Sequence, residues 1–209
     1  MKVKNLPLIL ASASPRRQEL LRSAGVPLEV IPSRIEENGI RGEGYTEHVR
    51  RLARAKAMEV AELHPGRWIL AADTVVVIEN EILGKPRDPG EAERMLRRLS
   101  GKEHLVATGF CLLNRSIARR REREVATRVK FKVLAPEEIH WYIRTGEPFD
   151  KAGGYAIQER AAFMVQEIHG SYTNVVGLPL CEVLEALEEV GAYPLNSFTA
   201  ENAEDSEKN

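Results

Sequence analysis

The sequence predicts an α/β protein with a mixed sheet and flanking helices. Three observations carry this reading. Short apolar runs rich in Val, Ile and Leu alternate with amphipathic stretches along the whole chain. Most amphipathic stretches carry their own start or stop signals. Some apolar runs are separated only by short turns, so their strands pair as hairpins and the sheet cannot be wholly parallel. Of 209 residues, 43% are hydrophobic and 29% charged, a balance that supports a packed core.

In order along the chain, Leu8 to Ala11 reads as a short buried strand. Ser14 then offers an N-cap and Pro15 a first-turn proline for a helix reaching Ala24, with Gly25 after its end. A second helix is expected from about Glu47 to Leu63, stopped by His64, Pro65 and Gly66. Trp68 to Ala72 follows as an apolar strand with Asp73 at its end, and Thr74 to Ile78 pairs with Ile82 and Leu83 through a turn near Asn80. Asp88, Pro89 and Glu91 make a capping sequence for a helix whose Ala92, Met95, Leu96 and Leu99 share one face. Leu105 to Leu113 and Val125 to Leu134 are β-rich, Pro136 opens a helix ending at Gly146, and a Gly153-Gly154 loop follows. Strands are expected around Phe163 to Ile168 and at Val175 to Val176, then a last helix from Leu180 to Val190. Residues 1–195 are read as one domain with room for two lobes, and the acidic stretch 196–209 as a disordered tail.

A net charge of −1 gives no global attraction to nucleic acid or an anionic membrane, so any polyanion must meet a local cluster. The arginine-heavy stretch from Arg115 to Arg123 could form one, or an RNA-binding surface. It is mixed with Glu122 and lacks interleaved aromatics, which favours a solvated hairpin. Cys111 and Cys181 are too few for a disulfide framework, and a cytoplasmic location is expected. Lys2, Lys4 and the run to Ala13 resemble a short signal peptide, but Pro7 interrupts the run and Ser14-Pro15 opens a helix at once. The five histidines, His48, His64, His104, His140 and His169, show no metal-ligand spacing and read as surface or turn residues.

Three features point to chemistry. Arg16 and Arg17 lie in the first turn of a helix, where a cation opposes the macrodipole. Free N–H groups, the Ser12 and Ser14 hydroxyls and two guanidinium groups there suit a phosphate chain. Winding the second helix puts Lys56 at the centre of the stripe Val49, Leu52, Ala53, Val60 and Leu63, the one charge placed squarely on a core-facing side. A cation kept on an apolar stripe for function implies that Lys56→Met leaves the ligand-free protein as stable or more so. Asp73, expected at the end of a core strand, stands where crevices form in α/β sheets and could bind a metal or act as a base; Lys85 follows in Gly84-Lys85-Pro86.

The motifs Leu-Ala-Ser-Ala-Ser-Pro-Arg-Arg from Leu10, Glu36-Glu37, Ala-Arg-Ala-Lys-Ala ending at Ala57, Ala-Ala-Asp-Thr around Asp73, Gly84-Lys85-Pro86, Leu-Ser-Gly-Lys from Leu99, and Asp-Lys-Ala-Gly-Gly-Tyr-Ala-Ile-Gln from Asp150 stand in register. Together they make the chain resemble the Maf family of nucleoside triphosphate pyrophosphatases over nearly residues 7–190. The resemblance implies an elongated, inosine-triphosphatase-like α/β fold with a central cleft. It also implies hydrolysis of a nucleoside triphosphate to the monophosphate and pyrophosphate with Mg²⁺ or Mn²⁺, no nucleic-acid or membrane partner, and room for a homodimer. It assigns Asp73 as the base with Lys56 and Lys85 in the catalytic group, Glu37 and Asp73 as metal ligands, Ser14, Arg16 and Arg17 as phosphate-binding residues, and Thr74 and Gln158 as base-selecting residues. The Tyr-Ala-Ile-Gln form around Gln158 is similar to the branch acting on dTTP and UTP rather than on 7-methylguanosine triphosphate. Glu159 departs from the glycine common in that branch. A non-catalytic nucleotide-binding regulator of septum formation is the other function compatible with the same pocket.

Overall fold

The computed structural model describes residues 6–40 and 42–193; Lys2, Lys4 and the expected acidic tail at 196–209 lie outside the described residues. A seven-stranded mixed sheet runs in the order β2-β1-β3-β5-β6-β7, with β4 also paired to β3. Its strands are β1 (Leu8–Leu10), β2 (Leu28–Val30), β3 (Ile69–Ile78), β4 (Glu81–Leu83), β5 (Glu103–Asn114), β6 (Arg119–Phe131) and β7 (Val165–His169). β1 is parallel to β2 and β3, while β3, β5, β6 and β7 follow one another antiparallel. The helices are α1 (Pro15–Ser23), α2 (Tyr45–Leu63), α3 (Pro89–Leu99), α4 (Pro136–Arg144), α5 (Tyr172–Val176) and α6 (Leu180–Glu189).

Alternation along β3 sorts the layers. Ile69, Ala71, Val75 and Val77 face α2, where they meet Ala53, Ala57, Val60 and Val49. Leu70 and Ala72 face α1 and α6 through Leu21, Val183, Ala186 and Leu187, whereas Val76 and Ile78 face α3 and α4 through Leu96, Leu99 and Tyr142. One helix therefore covers one face, and two groups of helices divide the other. Among the described residues no helix is long and apolar enough to cross a membrane.

Several expectations change. The two runs expected around Asp73 merge into one ten-residue strand, Ile69–Ile78, that begins just after Trp68, so Asp73 lies in mid-strand rather than at a strand end. Continuous pairing with β5 from Ile69 to Val77 holds the chain extended through it. Val175 and Val176 belong to helix α5, capped by Ser171, whose hydroxyl accepts from Asn174 N. Strand β2 alternates Leu28, Glu29 and Val30 over only three residues, too short a run for its periodicity to be foreseen. Leu63, the last residue of α2, is 80% exposed, so the buried stripe stops before the end of the helix. Four of the five arginines of Arg115 to Arg123 are paired with carboxylates: Arg115 with Glu62, Arg120 with Glu122, which Arg54 also holds, Arg121 with Glu189 of α6, and Arg123 with Glu185 and Glu189.

Helix α2 approaches the sheet unusually closely at Gly109, which pairs with Asp73. A Cβ on Gly109 would stand 2.7 Å from Val49 C and O and 2.9 Å from Arg50 N, all backbone atoms that cannot move aside alone. Gly109→Ala should therefore lift α2 from the sheet and lower stability by about 1–3 kcal/mol, measurable by urea unfolding.

Candidate functional site

A gap in the hydrogen-bonded edge of β3 creates the site. On that edge β1 pairs with Ile69 and Leu70, and β4 pairs with Val76 to Ile78. Between them Ala72 to Val75 have no strand partner on that side, and a cleft opens there against residues following β1. The free Ala72 carbonyl accepts from Arg17 Nη1 at 2.8 Å.

Asp73 points to the α2 face and is 4% exposed. Lys56 Nζ donates to Asp73 Oδ1 and to Glu37 Oε1, each at 2.7 Å, while Lys85 Nζ donates to Glu37 Oε2 at 3.2 Å. One ammonium from a helix, one carboxylate from a mid-strand position and one carboxylate from the segment after β2 thus meet, with a second lysine from the segment after β4. Burial alone would raise the Glu37 carboxyl, but the hydrogen bonds and charges of Lys56 and Lys85 outweigh it and hold the group at about 2. The stabilisation tied to that lowered value is complete above the ordinary glutamate range and fades as the pH falls toward about 2.

At the first turn of α1, Ser14 Oγ accepts from Arg17 N, and the turn carries no acidic residue. Arg17 is a staple as well as a charge: it donates to Gly177 O, Ser12 Oγ, Ala72 O and Thr74 Oγ1. Its burial lowers its pKa, an effect opposed by the charges of Asp73 and Glu37. Arg16 instead reaches toward Asp150 at 3.9 Å, across the mouth of the cleft. Ser14, Arg16, Arg17, Glu37, Asp73, Thr74 and Lys85 line this one cleft, and Lys56 lies beneath it through its contacts to Asp73 and Glu37.

Two expected base-selecting residues are placed differently. Thr74 Oγ1 accepts from Arg17 and lies within hydrogen-bond reach of Thr108 Oγ1 and Gly177 O, so its hydroxyl is committed to the protein. Gln158 lines a neighbouring cavity that shares Pro15, Arg16, Asp150 and Lys151 with the main cleft. The loop between them is fixed by Gly153, with φ +68°, whose N–H donates to Gly84 O at 2.9 Å and where a Cβ would strike Val76 at 2.9 Å. Glu159 keeps a left-handed backbone, φ 62°, where the resemblance expects glycine.

Residues to which the sequence reading gave no role also stand at the site; Lys151 and Tyr155 belong to the motif from Asp150, while His48 lies outside the motifs. Lys151 is buried, donating to Glu147 O and Asp150 Oδ1. Tyr155 lines the cleft and meets His104 Nε2 at 2.6 Å, and burial lowers His104 to about 4. His48 is buried at Asp73, not on the surface. Helix winding does not single it out: eight positions before Lys56 is about 80° around the helix, outside the apolar stripe.

The family model described as "Maf-like protein" matches residues 7–190. The chain is 57% identical over 185 residues to a dTTP/UTP pyrophosphatase of Geotalea uraniireducens (strain Rf4), covering 88% of this chain and 95% of the relative. It is 55% identical over 185 residues to a dTTP/UTP pyrophosphatase of Syntrophus aciditrophicus (strain SB), covering 88% of this chain and 90% of the relative. In fold it is similar to the Ham1 protein of Staphylococcus aureus, with a TM-score of 0.50 at 11% identity over 89% of this chain and all of that one, 100%.

Two stability changes follow from the geometry. Lys56→Met leaves the buried Asp73 and half-exposed Glu37 carboxylates without their shared cation. It should cost roughly 2–4 kcal/mol in urea unfolding, reversing the expectation drawn from the apolar stripe. Glu159→Gly relieves a left-handed non-glycine residue and should raise stability by up to about 1 kcal/mol after the greater freedom of glycine in the unfolded chain is counted, read as a higher Tm.

Proposed function

The chain belongs to the Maf-like family, and from that premise we propose that its cleft hydrolyses dTTP and UTP to the monophosphate and pyrophosphate. The observation that carries this reading is the meeting of Lys56, Lys85, Glu37 and Asp73 at the open edge of β3, beside the first turn of α1. A triphosphate needs several cations, and among the described residues Arg16, Lys85 and Lys151 are engaged by carboxylates or a carbonyl that a phosphate chain can replace. At the start of α1, where Ser14 N and Arg17 N are already taken by serine hydroxyls and Pro15 has no N–H, the Arg16 N–H has no partner among the described residues and adds one donor for an anion.

Asp73 is the base. Its carboxylate takes a proton from the water that attacks the α-phosphorus, the bond from that phosphorus to the bridging oxygen breaks, and pyrophosphate leaves with the bonding electrons. Lys56 holds Asp73 in place through Oδ1 and offsets the negative charge that gathers around it. Lys85, at the rim, meets the leaving phosphates.

The residues present fit a divalent cation. Asp73 Oδ2 is a buried carboxylate oxygen without a hydrogen-bond partner among the described residues, and Glu37 stands one ammonium away. Two carboxylates completed by waters and phosphate oxygens are the kind of donor set that Mg²⁺ or Mn²⁺ takes; among the described residues no group of three or more His, Cys, Asp or Glu able to hold a metal occurs. Glu37 and Asp73 would hold it, and when bound it neutralises phosphate charge as a Lewis acid.

Gln158 sits beside Glu159 in the adjoining cavity, where an amide can answer the carbonyl and N–H edge shared by uracil and thymine. Pyrophosphate release from UTP, dTTP, CTP, purine triphosphates and 7-methylguanosine triphosphate tests the reading, with turnover expected on UTP and dTTP. Asp73→Asn should lower that turnover by roughly 10²-fold or more while circular dichroism shows the fold retained; near-normal release would remove Asp73 as the base.

A further inference from the structure

The pairing of Asp73 with Lys56 accounts for only one carboxylate oxygen. Oδ1 accepts from the lysine, while Oδ2 is buried and, among the described residues, makes no hydrogen bond. An unpaired buried carboxylate oxygen is costly, and a carboxylate held only at Oδ1 by a flexible lysine can turn about its Cβ–Cγ bond. Oδ2 faces Nε2 of His48 at 3.9 Å.

That histidine is itself held. Its other ring nitrogen, Nδ1, lies 3.0 Å from Glu43 Oε2. Arg51 grips Glu43 with both arms, Nε to Oε1 at 2.6 Å and Nη2 to Oε2 at 2.8 Å. The Arg51 hydrogen bond is the largest influence on Glu43 and keeps its carboxyl at about 2, so the brace stays charged. Arg51 Nη2 also donates to Asn38 O, tying the brace to the segment that carries Glu37. A second cavity, lined by Glu43 and His48, meets the main cleft at Glu37, Asp73 and Lys85.

We propose that His48, braced by Glu43 and Arg51, is a positioning residue that orients the Asp73 carboxylate for proton transfer. The proposal rests on the reading of Asp73 as the base. The proton from water goes to Asp73 and none passes to His48. The ring faces an acceptor carboxylate at each nitrogen and acts with both nitrogens protonated, donating from Nδ1 to Glu43 and from Nε2 toward Asp73 Oδ2 to set the plane of the carboxylate. The gap of 3.9 Å is longer than a hydrogen bond, and such contacts commonly tighten only when substrate is bound. Gly109 is what lets this happen, because the close approach of α2 there puts His48 over the strand pair that contains Asp73.

Two isosteric replacements separate the two ends of the ring. An asparagine amide nitrogen reaches the place of Nδ1 and keeps the Glu43 contact, whereas a glutamine amide nitrogen reaches the place of Nε2 and keeps the contact toward Asp73. With UTP as substrate, His48→Asn should lower kcat about tenfold or more with KM changed by no more than about twofold, and His48→Gln should recover most of the loss. Both variants should unfold within a few degrees of the wild-type protein, roughly the shift of a 1 kcal/mol change. Wild-type kcat in His48→Asn, an equal loss in both variants, or a loss confined to KM would overturn the positioning role. Activity in the wild-type chain with any of those patterns leaves the pyrophosphatase reading standing; a wild-type chain that releases no pyrophosphate from UTP or dTTP overturns that reading and this proposal with it.

Discussion

A single buried ammonium organises the site. Lys56 is surrounded by apolar side chains of α2 and by the sheet, and its burial is tolerable because two carboxylates from distant parts of the chain close on it. Asp73 comes from the middle of β3 and Glu37 from the segment after β2, so the charge network ties helix, strand and loop into one geometry. Breaking the Lys56–Asp73 contact strands a charge in a poorly solvated place. The same network fixes both carboxylates in position and keeps Glu37 ionised.

The sheet supplies the other half of the design. β1 ends just before the part of β3 that matters, and β4 begins just after it. An unpaired strand edge exposes backbone groups that must be satisfied, and here Arg17 serves one of them while anchoring the first turn of α1. Asp73 and Thr74 point to opposite faces, so the strand presents its acid toward α2 and its hydroxyl toward the arginine. The cleft is thus polar, cationic at its rim and apolar where Val76, Val106 and Tyr155 line it. Its charges are largely paired with each other, which reconciles a phosphate-binding cleft with a nearly neutral chain.

Much of this was legible in the sequence because it was local. Ser14 before Pro15 and Asp88 before Pro89 announce helices α1 and α3, and in both the cap side chain accepts from the backbone three residues on. The stripe on α2 singled out Lys56, and the motif set brought Glu37, Asp73 and Lys85 into one hypothesis. Local signals failed where packing decided. Val175 and Val176 have strand propensity, yet the Ser171 cap and the turn at Gly177 make them helical. His104 and His48 carry no spacing signal, because what buries each is a neighbour far along the chain or on the sheet below.

From its own pattern of residues the chain determined an α/β class, the ends of most helices and the residue types that gather around a polyphosphate. These depend on periodicity and capping, which act over a few residues. Only the tertiary structure decided that Asp73 stands in mid-strand beside a gap, that Thr74 spends its hydroxyl on Arg17 and that Gln158 belongs to an adjoining cavity. It alone decided that Gly109 admits α2 closely enough for Lys56 and His48 to reach the acid. Those are contacts between segments many residues apart, and their distances follow from how sheet and helix pack, which no local pattern encodes.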